Sequence, residues 1–101
     1  MKEILFFTLE NCPYCREAER WIRELCAGNP AYGQIPIRRV DENEEPALAN
    51  SYDYWYVPTF YVEGVKVHEG AATKEKIKAV LDKALQPFFP EEGKPDKRRE
   101  A

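Results

Sequence analysis

The chain has 101 residues, 44% of them apolar, which points to one domain able to build its own core without disulfide staples. An odd count of three cysteines speaks against a structural disulfide framework. A net charge of −3 with both signs interspersed excludes an electrostatic nucleic-acid binder, which needs a basic surface.

Met1-Lys2-Glu3 runs directly into Ile4-Leu5-Phe6-Phe7, an apolar run too short for a secretory leader. No stretch approaches the roughly 18 apolar residues of a membrane span. The expected location is the reducing cytoplasm, where a CxxC is catalytic or metal-binding rather than structural. Ile4–Thr8 reads as a strand buried on both faces. Ala18, Trp21, Ile22, Leu25 and Cys26 then form one helical stripe, which Gly28-Asn29-Pro30 ends. A loop to Gln34 leads into a second strand over 35–40, so strand, helix and strand make a parallel βαβ unit.

Residues 41–51 predict a short helix with Asn43 as its cap and Pro46 in its first turn. Thr59–Val62 and Val65–Glu69 are β-rich runs joined by Glu63-Gly64, a tight hairpin. Ile77, Val80, Leu81, Ala84, Leu85 and Phe88 keep helical spacing behind Thr73 as N-cap. The domain is expected over 1–88, with 89–101 a flexible tail whose Lys94, Lys97, Arg98 and Arg99 are balanced by Glu91, Glu92, Asp96 and Glu100. The order β-α-β-α-β-β-α describes an open α/β sheet with helices on its faces.

Cys12 and Cys15 stand where the buried strand meets the amphipathic helix. Orphan N–H groups and the positive end of the dipole at a helix start favour an anion, and the thiolate is the species that attacks a disulfide. Cys12, at or before the first turn, is the candidate nucleophile. Cys15 lies one turn on, close enough to resolve a mixed disulfide. Pro13 suits the first helical position, where its missing N–H costs nothing. Arg16 and Arg20 add positive potential, and Glu10 opposes them. A zinc site within the chain would need Cys26 and His68, but Cys26 falls on the apolar stripe and His68 reads as a surface residue of an edge strand.

Cys12-Pro13-Tyr14-Cys15 followed by Arg16 resembles the active-site motif of dithiol glutaredoxins, and Val57-Pro58-Thr59-Phe60 resembles the cis-proline segment of the thioredoxin superfamily. The likeness spans about residues 2–88. It implies a thioredoxin-like fold, a central mixed four-stranded sheet flanked by helices. It also implies a thiol–disulfide oxidoreductase with Cys12 and Cys15 catalytic and Pro13, Tyr14, Val57, Pro58, Gly70 and Thr73 contacting substrate. Val57's backbone would pair with the incoming peptide or glutathione as an added strand. The chain departs from glutaredoxins in two places: Thr8-Leu9-Glu10-Asn11 lacks their lysine, and Gly70-Ala71-Ala72-Thr73 replaces their Gly-Gly-acid. Tyr52 is expected to pack a short helix onto the sheet. Trp55 divides between packing and a wall for substrate, and Tyr14 is expected exposed.

The expected partners are disulfide-containing or glutathionylated proteins, with electrons from glutathione or a thioredoxin-reductase-like flavoenzyme. No tightly bound cofactor is expected; glutathione enters as co-substrate. The chain is expected to be a monomer that binds neither nucleic acid nor membrane. The competing readings are a dimer bridging an iron–sulfur cluster through Cys12 and glutathione, and a non-catalytic peptide-binding adaptor.

Overall fold

The structure is a computed structural model that describes residues 2–85. Its elements run β1 (Ile4–Thr8), α1 (Pro13–Gly28), α2 (Pro30–Gly33), β2 (Ile37–Asp41), α3 (Pro46–Asn50), β3 (Thr59–Val62), β4 (Val65–Glu69) and α4 (Lys74–Leu85). The continuation of the last helix to Phe88 and the tail at 89–101 lie outside the described residues.

The four strands form one mixed sheet in the order β2-β1-β3-β4. β1 pairs parallel with β2, Ile4 opposite Ile37 and Thr8 opposite Asp41. It pairs antiparallel with β3, Ile4 opposite Val62 and Phe7 opposite Thr59. Because strand side chains alternate between faces, β1 feeds two cores at once. Ile4 and Phe6 join Phe60, Val62 and the apolar stripes of α1, α2 and α4 on one side. Phe7 joins Val40, Ala49 and Tyr61 on the other. Phe6 stacks on Phe60 with ring centroids 4.6 Å apart, while Phe7 stacks on Tyr54 at 4.9 Å and meets Tyr52 at 5.0 Å. Tyr52 therefore packs, as expected.

Local chemistry accounts for most boundaries. Asn29 caps α2 through Oδ1, which accepts the Ala31 N–H at 3.0 Å, and Pro30 opens the turn. The Asn-Pro pair carries this one-turn helix, which was expected as loop, and it moves the start of β2 from 35 to 37. Ile35 is buried ahead of the strand. Thr73 Oγ1 accepts the Lys76 N–H at 3.2 Å, the cap expected of it. The hairpin turns at Glu63 (φ 51°) and Gly64 (φ 80°); two positive values in succession are those of a type I′ turn, which matches strand twist.

Three expectations are corrected. Asn43 does not cap α3: its N–H donates to Asp41 Oδ1 at 2.8 Å in a turn of its own, and Glu45 precedes the helix without a side-chain cap. Cys26 is only partly buried; it packs against the main core yet lines a cleft of about 300 Å³ with Arg23, Tyr32 and Arg39. His68 is half-buried rather than a free surface residue. Its Nε2–H is shared between the carbonyls of Gly70 (3.0 Å) and Ala71 (3.1 Å), tying β4 to the loop before α4.

Phe6→Ala should destabilise the fold by about 3–5 kcal/mol, through lost burial, a cavity and the lost stack on Phe60. Val65→Ala, at an exposed position, should stay within about 0.5 kcal/mol. Urea midpoints of the two variants check the difference.

Candidate active site

The site lies at the end of the sheet where β1 and β2 finish and β3 begins. β1 stops at Thr8, and the chain turns through Asn11 at φ 67°, a left-handed conformation that asparagine tolerates. Asp41 at the end of β2 holds this turn, its Oδ2 accepting the Glu10 N–H at 3.2 Å. Nothing local in the sequence marks Asp41 for that task, because the contact spans 31 residues.

Cys12 is then the N-cap of α1, with extended backbone (φ −96°, ψ 114°), and Pro13 occupies the first turn. The Cys15 N–H donates to Cys12 Sγ at 3.4 Å. One orphan amide of the helix start is thus satisfied by sulfur, in the place a serine or aspartate oxygen usually fills. The Arg16 N–H donates to the Cys12 carbonyl at 3.0 Å and begins the helical ladder. Both cysteines are free thiols, Cys12 partly exposed and Cys15 only 2% exposed. Burial pushes the Cys15 thiol up to about 11, and the neighbouring Cys12 adds to the rise; the Thr8 hydroxyl and the Leu9 backbone act against it. Cys15 borders an open cleft of about 330 Å³ lined also by Thr8, Glu10, Arg16 and Glu19. Arg16 and Glu10 thus both stand at this cleft. Arg20 is engaged along its own helix by Glu17 (3.0 Å) and Glu24 (3.8 Å).

The Val57–Pro58 bond is cis. Phe7 opposes Thr59, so the residues one step further, Thr8 and Pro58, meet at the same end of the sheet as the cysteine turn. Pro58 is buried, and its carbonyl accepts the Gly70 N–H at 2.8 Å, with Gly70 at φ 95°. Thr59, fully buried, donates its hydroxyl to the Tyr56 carbonyl. The fold therefore gathers Cys12, Pro13, Tyr14, Cys15, Val57, Pro58 and Gly70 at one end, while Thr73 stands at the start of α4 with no hydrogen bond to them. Gly70 and Thr73 have structural duties: Gly70 pins Pro58, and Thr73 caps α4.

Around this end stand large exposed rings: Tyr14 is 59%, Tyr56 70% and Trp55 85% exposed. For Trp55 the choice between packing and exposure falls to exposure. Glu69 was not singled out in the sequence. Its Oε2 accepts the N–H groups of both Trp55 and Tyr56, the latter at 2.8 Å, and its Oε1 pairs with Lys66 at 2.7 Å. Lys66 and the two amides pull the Glu69 carboxyl down to about 2.

Among the described residues no group of three or more His, Cys, Asp or Glu side chains converges as a metal site, and no helix is long and apolar enough to cross a membrane. No protein-family model matches the chain. It is 33% identical over 82 residues to protein disulfide isomerase-like 1-4 of Oryza sativa subsp. japonica, a match covering 74% of this chain but only 15% of the plant protein. The structure of oxidised thioredoxin from Plasmodium falciparum superposes with a TM-score of 0.64 at 22% identity, over 84% of this chain and 82% of that one, and shares its fold. The thioredoxin of Methanocaldococcus jannaschii is 30% identical over 83 residues, covering 82% of this chain and 95% of its own length. Two free cysteines set one turn apart at the start of a helix, on this mixed sheet and with similarity over nearly the whole of an archaeal thioredoxin, have one reading: the chain belongs to the thioredoxin family and is a thiol–disulfide oxidoreductase.

Proposed function

We propose that the chain reduces disulfides of protein substrates, with Cys12 as nucleophile and Cys15 as resolving thiol, and that mixed disulfides with glutathione are a second substrate of the same pair. The observation that carries this is the asymmetry of the two sulfurs. One is accessible and accepts an N–H at a helix start; the other is buried one turn away.

The Cys12 thiolate attacks a substrate sulfur, a mixed disulfide forms, and one substrate thiolate leaves. Loss of the negative charge at Cys12 then removes one of the influences that hold Cys15 protonated. Cys15 gives up its proton at the cleft it borders and attacks Cys12 Sγ, releasing the second substrate thiol. The substrate gains two electrons and two protons as the Cys12–Cys15 disulfide forms, and an external thiol or flavoenzyme returns them.

Three features of the rim favour a protein as substrate. Tyr14, Trp55 and Tyr56 offer the exposed aromatic surface that anchors macromolecular partners. Val57 enters no ladder pair among the described residues, while its neighbours are pinned on both sides, so its backbone suits an added substrate strand. Where the glutaredoxin resemblance calls for a lysine and an acid to bind glutathione, the stretch Thr8-Leu9-Glu10-Asn11 holds no cation and Thr73 offers only a neutral hydroxyl, already used as a helix cap. We take a thioredoxin-reductase-like flavoenzyme as the principal electron donor and glutathione as the lesser one.

Turnover of insulin with dithiothreitol, and of a glutathionylated peptide with glutathione and its reductase, tests the proposal. Cys12→Ser should abolish both. Cys15→Ser should accumulate mixed disulfides with insulin and retain part of the peptide turnover. Silence of the unaltered protein in both assays would sink the proposal, and visible absorbance on anaerobic purification would replace it with cluster binding.

The burial of Cys15 sets a pH dependence. A thiol raised to about 11 keeps its proton across the neutral range and yields it only as pH climbs toward that value. In the reduced protein, iodoacetamide at neutral pH should label Cys12 and spare Cys15, with Cys15 labelling rising as pH climbs. In Cys12→Ser, Cys15 labelling should begin at lower pH. Peptide mass spectrometry reads both.

A further inference from the structure

We infer that Glu69 is a positioning residue for protein substrates: together with Lys66 it holds the segment 53–56 so that Trp55 and Tyr56 face outward at the active end. This deepens the preceding proposal and rests on it.

The hydrogen bonds around the segment are unusually one-sided. Both consecutive amides, of Trp55 and Tyr56, point to a single carboxylate oxygen of Glu69. The other oxygen takes Lys66 Nζ at 2.7 Å, and the same ammonium reaches the Asp53 carbonyl at 3.2 Å. That carbonyl also accepts the Tyr61 hydroxyl at 2.6 Å. Amide and carbonyl groups of the segment are thus satisfied from β3 and β4, and its two largest side chains are left in solvent. Exposed tryptophan and tyrosine side by side are costly to hydrate and are the residues most enriched where partners bind.

Lys66 and Glu69 can cooperate only because of an irregularity in β4. Residues three apart on a regular strand point to opposite faces. Here Tyr61 opposes Lys66 while Phe60 opposes His68, so Val67 is an extra residue, a bulge. The bulge returns Lys66 and Glu69 to one face, the face that carries Tyr61 and the segment 53–56.

No reacting atom is touched by Glu69, so its loss should be felt by bulky substrates alone. We would compare the unaltered chain with Glu69→Ala, Glu69→Gln, Trp55→Ala and the Trp55→Ala/Glu69→Ala double variant. Insulin and hydroxyethyl disulfide serve as substrates, and amide hydrogen exchange is followed at residues 55 and 56. Glu69→Ala should raise KM for insulin about tenfold, a loss on the scale of one aromatic anchor, and leave hydroxyethyl disulfide within about twofold. Exchange at both amides should quicken. Glu69→Gln, which keeps an oxygen for the two amides, should recover most of the loss, and the double variant should be no worse than Trp55→Ala alone. Equal losses on both substrates, additive losses in the double variant, or unchanged amide exchange would overturn the role of Glu69 while leaving the proposed function intact. An unaltered chain that reduces hydroxyethyl disulfide but not insulin would overturn both the role of Glu69 and the choice of protein substrates.

Discussion

Burial of β1 on both faces is the constraint on which the rest of the structure depends. Phe6 and Phe7 point opposite ways from adjacent positions and are fully buried in separate cores. A strand so enclosed cannot slip by one residue, because the slip would exchange the two sets of side chains. Its end at Thr8 is therefore fixed in space, and so is the turn that delivers Cys12 to the start of α1. The same strand sets β3 by pairing, so Pro58 arrives at the end of the sheet where the cysteines stand. Active-site geometry here follows from core packing.

The chemistry then divides between two environments one helical turn apart. At the helix start, amides without ladder partners suit an anion, and a sulfur takes the capping place. One turn on, the chain has entered the core, and desolvation keeps the second sulfur protonated. A nucleophile and a resolving group need opposite properties, and the shift from cap to interior supplies both without further residues. Thr8 at the end of β1 moderates the contrast.

Much of this was legible in the chain. The period-two and helical patterns located β1, α1, the β3–β4 hairpin and the start of α4 to within a residue or two. Cys12-Pro13-Tyr14-Cys15 reads as a helix start because proline at the first turn and a polar atom before it are local requirements. Asn29-Pro30 carried an equally local signal for α2. Asn43 was misread as a cap because its neighbour Asp41 bonds the same stretch of backbone, and either arrangement is open to a short polar segment. His68 and Cys26 were placed by strand and stripe alone. The carbonyls that His68 binds and the cleft that Cys26 lines exist only once distant segments meet.

By itself, then, the sequence determined every strand and all the helices but α2, their order and the identity of the reactive pair. These rest on interactions within a turn or two of chain: side-chain periodicity, caps and fixed dihedral angles. Tertiary structure alone decided that Asp41 holds the turn before Cys12, that Trp55 and Tyr56 face solvent, and that a bulge at Val67 lets Glu69 and Lys66 hold them there. Each of these depends on register between strands far apart in the chain, and register comes from the packing of whole faces, which no local pattern of residues encodes.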